Sequence, residues 1–154
     1  VVNTKRTGDV KNVESNATSD SEYAADTLAI INIVNESMEI AGASCIYSGE
    51  AIEKSESNEK IRQRYIPNGE GKATFNDGRY YQGSFVYGSM DGDNAYFVYP
   101  NGDTYEGSFK DNHFSKGTYT VKATGEQFTG TFDSYGQPKK GSWYDKNGNF
   151  LQSV

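Results

Sequence analysis

The chain has 154 residues, 34% of them apolar and 23% charged, with a net charge of −6. That length holds one domain with a real core, and no apolar run reaches the ~18 to 20 residues that would cross a bilayer as a helix. Basic residues cluster only at Lys5-Arg6, Arg62 to Arg64 and Lys139-Lys140, too few to build the cationic face that a phosphate backbone needs, which argues against nucleic acid as a partner.

The sequence opens on Val1, so an upstream portion, and any membrane anchor with it, is expected to lie outside it. Residues 1–20 are rich in Asn, Ser, Thr and Asp without a hydrophobic period, and read as a polar tether. A tether before a domain suggests an extracytoplasmic, anchored protein.

Residues 21–68 read as an N-terminal capping segment with a charged insert. Ser19 to Glu22 resembles a helix-capping box, and Ala24, Leu28, Ile31 and Val34 recur at helical spacing. Ile30, Ile31, Ile33 and Val34 also form a β-branched run that suits a strand. The helix is the preferred reading, over about 21 to 36, followed by a strand near Ile40 to Tyr47. Glu50 to Gln63 is charged and poor in apolar residues, a solvated helix or loop. The lone Cys45 cannot form an internal disulfide and reads as a small buried hydrophobe.

From about Gly69 the chain repeats itself. Asp77-Gly78-Arg-Tyr-Tyr81-Gln-Gly83-Ser-Phe85 is followed by Asn101-Gly102-Asp-Thr-Tyr105-Glu-Gly107-Ser-Phe109, then Thr124-Gly125-Glu-Gln-Phe128-Thr-Gly130-Thr-Phe132, then Asn147-Gly148-Asn-Phe150-Leu151. The turn glycines are spaced 24, 23 and 23 residues apart. Asp-Gly and Asn-Gly pairs predict two-residue hairpin turns with positive φ at both central residues, and a second strand precedes each turn, at Gly71 to Phe75, Ala95 to Tyr99, Gly117 to Val121 and Gly141 to Asp145. Alternation puts Tyr81, Gly83 and Phe85 on one face with their counterparts in later units, and Gln82, Ser84, Glu106, Ser108, Thr129 and Thr131 on the other. A glycine between two aromatics leaves room for a neighbouring ring to lie across the backbone.

The Tyr-x-Gly-x-Phe pattern, with a Gly-x-Gly such as Gly69-x-Gly71 and a turn glycine seven residues further at Gly78, resembles the MORN repeat. The resemblance covers about Gly69 to Gln152, as four hairpin units. Phe stands at 85, 109 and 132 in place of the more typical Trp, Ala95 in place of a glycine, and Asn112 in place of the glycine after the aromatic. Tyr47-Ser48-Gly49 is similar to an earlier, decayed unit. Such repeats imply a mainly β fold over residues 69–154, a single-layer elongated antiparallel sheet of stacked hairpins. They also imply a protein-interaction or membrane-proximal scaffold without catalytic residues.

The remaining motifs favour structure over chemistry. His113 is the single histidine and Cys45 is distant in sequence, so neither a nucleophile–base pair nor a multi-histidine metal site can be assembled. Gly69-Glu-Gly71-Lys72 lacks the first glycine and the hydroxyl of a phosphate-binding loop. Asp91 to Asn94 lacks the closing glutamate of a calcium loop. No cofactor and no metal are expected, and the chain reads as a non-enzyme.

The aromatic face, Tyr81, Phe85, Phe97, Tyr105, Phe109, Phe128, Phe132 and Trp143, is either the core or, where it stays open, the binding site. Its expected partner is a protein. The runner-up is a polysaccharide or cell-wall polymer stacked on exposed rings. Self-association through a sheet edge or this face is a further expectation, and membrane contact is expected only through an N-terminal anchor outside the sequence.

Overall fold

The computed structural model describes residues 2–4, 29–54 and 63–154, the first three as backbone only. These residues form twelve strands and no helix: β1 (Val2–Thr4), β2 (Ile30–Ile40), β3 (Ala43–Glu53), β4 (Tyr65–Phe75), β5 (Tyr80–Val86), β6 (Ser89–Met90), β7 (Gly92–Val98), β8 (Thr104–Lys110), β9 (His113–Thr120), β10 (Gln127–Phe132), β11 (Pro138–Tyr144) and β12 (Phe150–Ser153). They make one open antiparallel sheet in which neighbours in sequence are neighbours in space. The two-residue β6 sits off this path, beside β5.

The helix expected over 21 to 36 is corrected. Residues 21–28 lie outside the described residues, but Ile30 onward is strand: alternation buries Ile31 and Ile33, and the β-branched run outweighs the helical period. The strand expected near Ile40 to Tyr47 is also split, because Ala41 and Gly42 form the tight turn between β2 and β3. Of the segment read as solvated helix or loop, Glu50 to Glu53 extends β3, and 55–62 falls outside the described residues. Most of the polar tether is likewise outside them, but Val2–Thr4 pairs with β2. The boundary drawn between residues 21–68 and the repeat from Gly69 falls inside β4, and the sheet runs through it.

The repeat turns differ from the two-residue form. Phe75 N–H donates to the Arg79 carbonyl at 2.8 Å and Gly78 N–H to the Phe75 carbonyl at 3.0 Å, and the pattern recurs at Tyr99 to Asp103 and Asp145 to Asn149. Only the glycine is left-handed, at φ +97° in Gly78, so these are three-residue turns closed by a glycine. The extra residue before Gly125 widens the third turn by one. Two-residue turns with two positive φ values occur instead at Ala41-Gly42, Tyr87-Gly88 and Asp111-Asn112. Asn tolerates that conformation, which explains Asn112 in a glycine position.

A row of glycines crosses the sheet: Gly49 faces Gly71, which faces Gly83, and further on Gly107, Gly117, Gly130 and Gly141 face one another in turn. Register shifts flank the row, between Gly49 and Ala51 and between Gly107 and Phe109. Such bulges bend strands, and the sheet folds towards its inner face along this line. Gln63 shows how far. It precedes Tyr65, the partner of Glu53, yet its amide reaches Met38 Sδ at 3.8 Å, and Met38 pairs with Cys45. A flat β3 would separate those two sites by about 26 Å. The bend lets one sheet bury its own inner face, where Tyr47, Tyr81, Tyr105 and Phe128 are fully enclosed.

Candidate functional site

The structure brings the eight aromatic side chains onto the inner face, as alternation requires, but does not leave that face open. Tyr81, Tyr105 and Phe128 have no exposed surface, and Phe85, Phe97, Phe109 and Phe132 are buried with them. These seven rings are core, the first of the two readings that the sequence left open for this face. Trp143 alone is partly buried, packed on Phe128 at 5.5 Å between ring centroids.

The glycine row explains the packing. A Cβ on Gly71 would stand 2.5 Å from Cε1 of Tyr47, so that ring lies across the glycine backbone. Each such tyrosine then reaches the carbonyl three residues on: Tyr47 donates to Glu50 at 2.6 Å, Tyr81 to Ser84 at 2.6 Å and Tyr105 to Ser108 at 2.7 Å. Burial pushes all three phenols up, Tyr105 to about 12.

At the inner rim, Tyr119 donates to Asp103 Oδ2 at 2.6 Å and Lys122 N–H to Oδ1 at 2.9 Å. The Tyr119 hydroxyl first, and then the Lys122 amide, hold the Asp103 carboxyl below its ordinary range. Nearby, a shallow cavity of about 150 Å³ is lined by Arg79, Tyr99, His113, Phe114 and Tyr135. Cys45 is buried and its thiol is pushed up to about 11 by desolvation, which disfavours the reactive thiolate. Among the described residues, no three His, Cys, Asp or Glu side chains stand together as a metal-holding group.

The outer face has a different character. One cross-strand row runs from Ile46 on β3 through Thr74, Tyr80, Thr104 and Gln127 to Phe150 on β12, and a second runs from Ser48 through Gln82, Tyr96, Glu106 and Thr118 to Ser153. Neighbours along them are hydrogen-bonded, as in Thr118 with Thr129 at 3.0 Å and Gln127 with Thr120 at 3.0 Å. Tyr96, 38% exposed, stands between Gln82 and Glu106.

No family model matches the sequence, and no curated protein matches it either. The outer-face rings Tyr80 and Tyr96 were not among the residues singled out from the sequence. The signal was present: Tyr80-Tyr81 and Tyr96-Phe97 are adjacent aromatics, and in a strand two adjacent side chains point to opposite faces.

Proposed function

We propose that the chain is a non-catalytic, MORN-type repeat module that binds a protein partner across its outer face. The observation that carries this reading is the pair of unbroken outer rows spanning β3 to β12. Their length, about eight strand spacings of ~4.8 Å or ~38 Å, suits a partner surface of standard size, and they mix Tyr rings with hydroxyl and amide groups. The inner rings are consumed by packing between units and are not offered to a ligand.

The polysaccharide reading rested on an exposed aromatic face, and burial of seven of its eight rings removes that support.

The test uses Tyr96→Glu combined with Thr118→Arg. Both side chains lie on the outer face, so the variant is expected to remain folded, at a cost of about 1 to 2 kcal/mol for the lost Thr118–Thr129 bond and the carboxylate placed opposite Glu106. Saturable capture of a protein partner should weaken by at least about tenfold. Unchanged capture, or retention of the parent on purified polysaccharide in place of protein, would reject the reading.

A further inference from the structure

We propose that the outer edge of β2 at residues 31–33 is a strand-acceptor site, and that two copies of this chain join by exchanging their Val2–Thr4 strands across it. This goes beyond the outer-face reading and leaves that face free, because strand pairing uses the backbone of the sheet edge.

The edge is seen accepting a strand. Val2 pairs with Ile33, Asn3 with Asn32 and Thr4 with Ile31, antiparallel. The accepting window is short for identifiable reasons. Beyond Ile33 the register of β2 shifts, Asn35 takes a φ of +53° and its N–H is held by Ser48 Oγ at 2.9 Å. Further along, the Glu39 N–H is occupied by Gln63 Oε1 at 3.1 Å. The regular stretch before the bulge is the part of this edge that takes another strand. Its sequence from Ile30 to Ile40 contains neither Lys nor Pro, two residues that natural edges use as guards.

The occupant argues for a second copy. Every chain carries the segment that fits, and residues 5–29 lie between it and β2, so the pairing is not dictated by a tight turn. Exchange between two copies preserves all the contacts and satisfies both edges by the same symmetric operation. Closure within one chain competes with an effective concentration on the order of millimolar for a connection of this length. Exchange is therefore concentration-dependent and grows towards that range.

The experiment uses the full chain with Cys45→Ala, so that introduced thiols are the only ones. Asn3→Cys in one copy and Asn32→Cys in another are mixed and oxidised at about 10 μM and at about 1 mM, concentrations that bracket the onset of exchange. A disulfide-linked heterodimer is expected at the higher concentration and a several-fold smaller fraction at the lower. Asn3→Cys mixed with Thr118→Cys, whose site lies on the outer face, should give none. A second variant deletes residues 5–29, so that Ile30 alone separates Thr4 from its partner Ile31, less than the two residues a hairpin turn needs, and is expected to be a dimer by light scattering. Absence of the heterodimer at both concentrations, equal crosslinking to Thr118→Cys, or a monomeric deletion variant would each overturn the proposal.

Discussion

Tyr47 on β3 meets Phe85 on β5 edge-on, with 5.2 Å between ring centroids and 90° between the ring planes. The relation repeats one unit at a time: Tyr81 meets Phe109 at 4.9 Å and Tyr105 meets Phe132 at 5.3 Å, again near perpendicular. Each unit thus closes the tyrosine of the unit before it, and stability propagates by nearest-neighbour contacts. Tyr47-Ser48-Gly49 takes part on equal terms, with the same ring contact and the same hydroxyl-to-carbonyl bond as the later units.

Removing one hydroxyl tests that bond without disturbing the rings. Tyr105→Phe keeps the contacts with Phe109 and Phe132 but leaves the Ser108 carbonyl without its 2.7 Å donor. The expected loss is about 1 to 2 kcal/mol, read as a lower denaturation midpoint at unchanged slope. An unchanged midpoint would mean that water replaces the phenol.

Two glycines separate crowding from turn geometry. Gly107 has a φ of +153°, and a Cβ there would stand 2.5 Å from Gly117 Cα on the facing strand and 3.0 Å from the Tyr105 hydroxyl. Gly107→Val should therefore prevent the array from folding, by collision with the facing backbone more than by the intrusion between Tyr105 and Phe109 that alternation alone suggests. Gly148, in the last repeat turn at φ +84°, has no atom within 4 Å of its Cβ position, so Gly148→Ala carries only backbone strain of about 1 kcal/mol. Comparable melting temperatures for the two variants would contradict this account.

The repeat was legible in the sequence because period-2 alternation and turn glycines are local signals. Both survived into the structure from Gly71 to Phe132, and they put all eight candidate rings on one face. Whether that face is open was not legible. Its closure depends on the bend at the glycine row, a collective consequence of register shifts at Gly49 and Gly107 that no single unit announces. The first hairpin was misread for a different reason. Ile31 and Val34 fit a helical face and a strand equally well, and only pairing with β3 decides between them.

Acid and base should weaken the fold through different groups. The Asp103 carboxyl is held low in the folded state by Tyr119 and Lys122, so its contribution is present above the ordinary carboxylate range, near pH 4, and is lost as pH falls through the depressed folded value. Tyr47, Tyr81 and Tyr105 are raised by burial; their contribution is present below the ordinary phenol value, near 10, and is lost as pH rises through the folded values. Ultraviolet titration should accordingly show a class of tyrosines that ionises only with unfolding. In Asp103→Asn the acid limb of the melting-temperature profile should flatten. A single titration of all tyrosines near pH 10 would refute the burial assignment.

Trp143 decides how far the core extends towards β12. It is the last ring of the inner cross-strand row, packed on Phe128 on one side and paired with Gln152 on the other, where no further ring follows. A fully open Trp143 would lose at most about 1 kcal/mol on truncation, and a fully enclosed one ~3 to 5 kcal/mol. With most but not all of its surface covered, Trp143→Ala is expected to cost about 2 to 3 kcal/mol, less than Phe128→Ala, whose ring is fully enclosed. Chemical denaturation of the two variants beside the parent gives both numbers. Because Trp143 faces inward and Tyr96 outward, partner capture by Trp143→Ala should follow the folded fraction, whereas Tyr96→Glu should weaken capture in a protein that remains folded. A Trp143→Ala protein of parental stability that loses its partner would move the binding surface from the outer rows to the C-terminal end of the inner face.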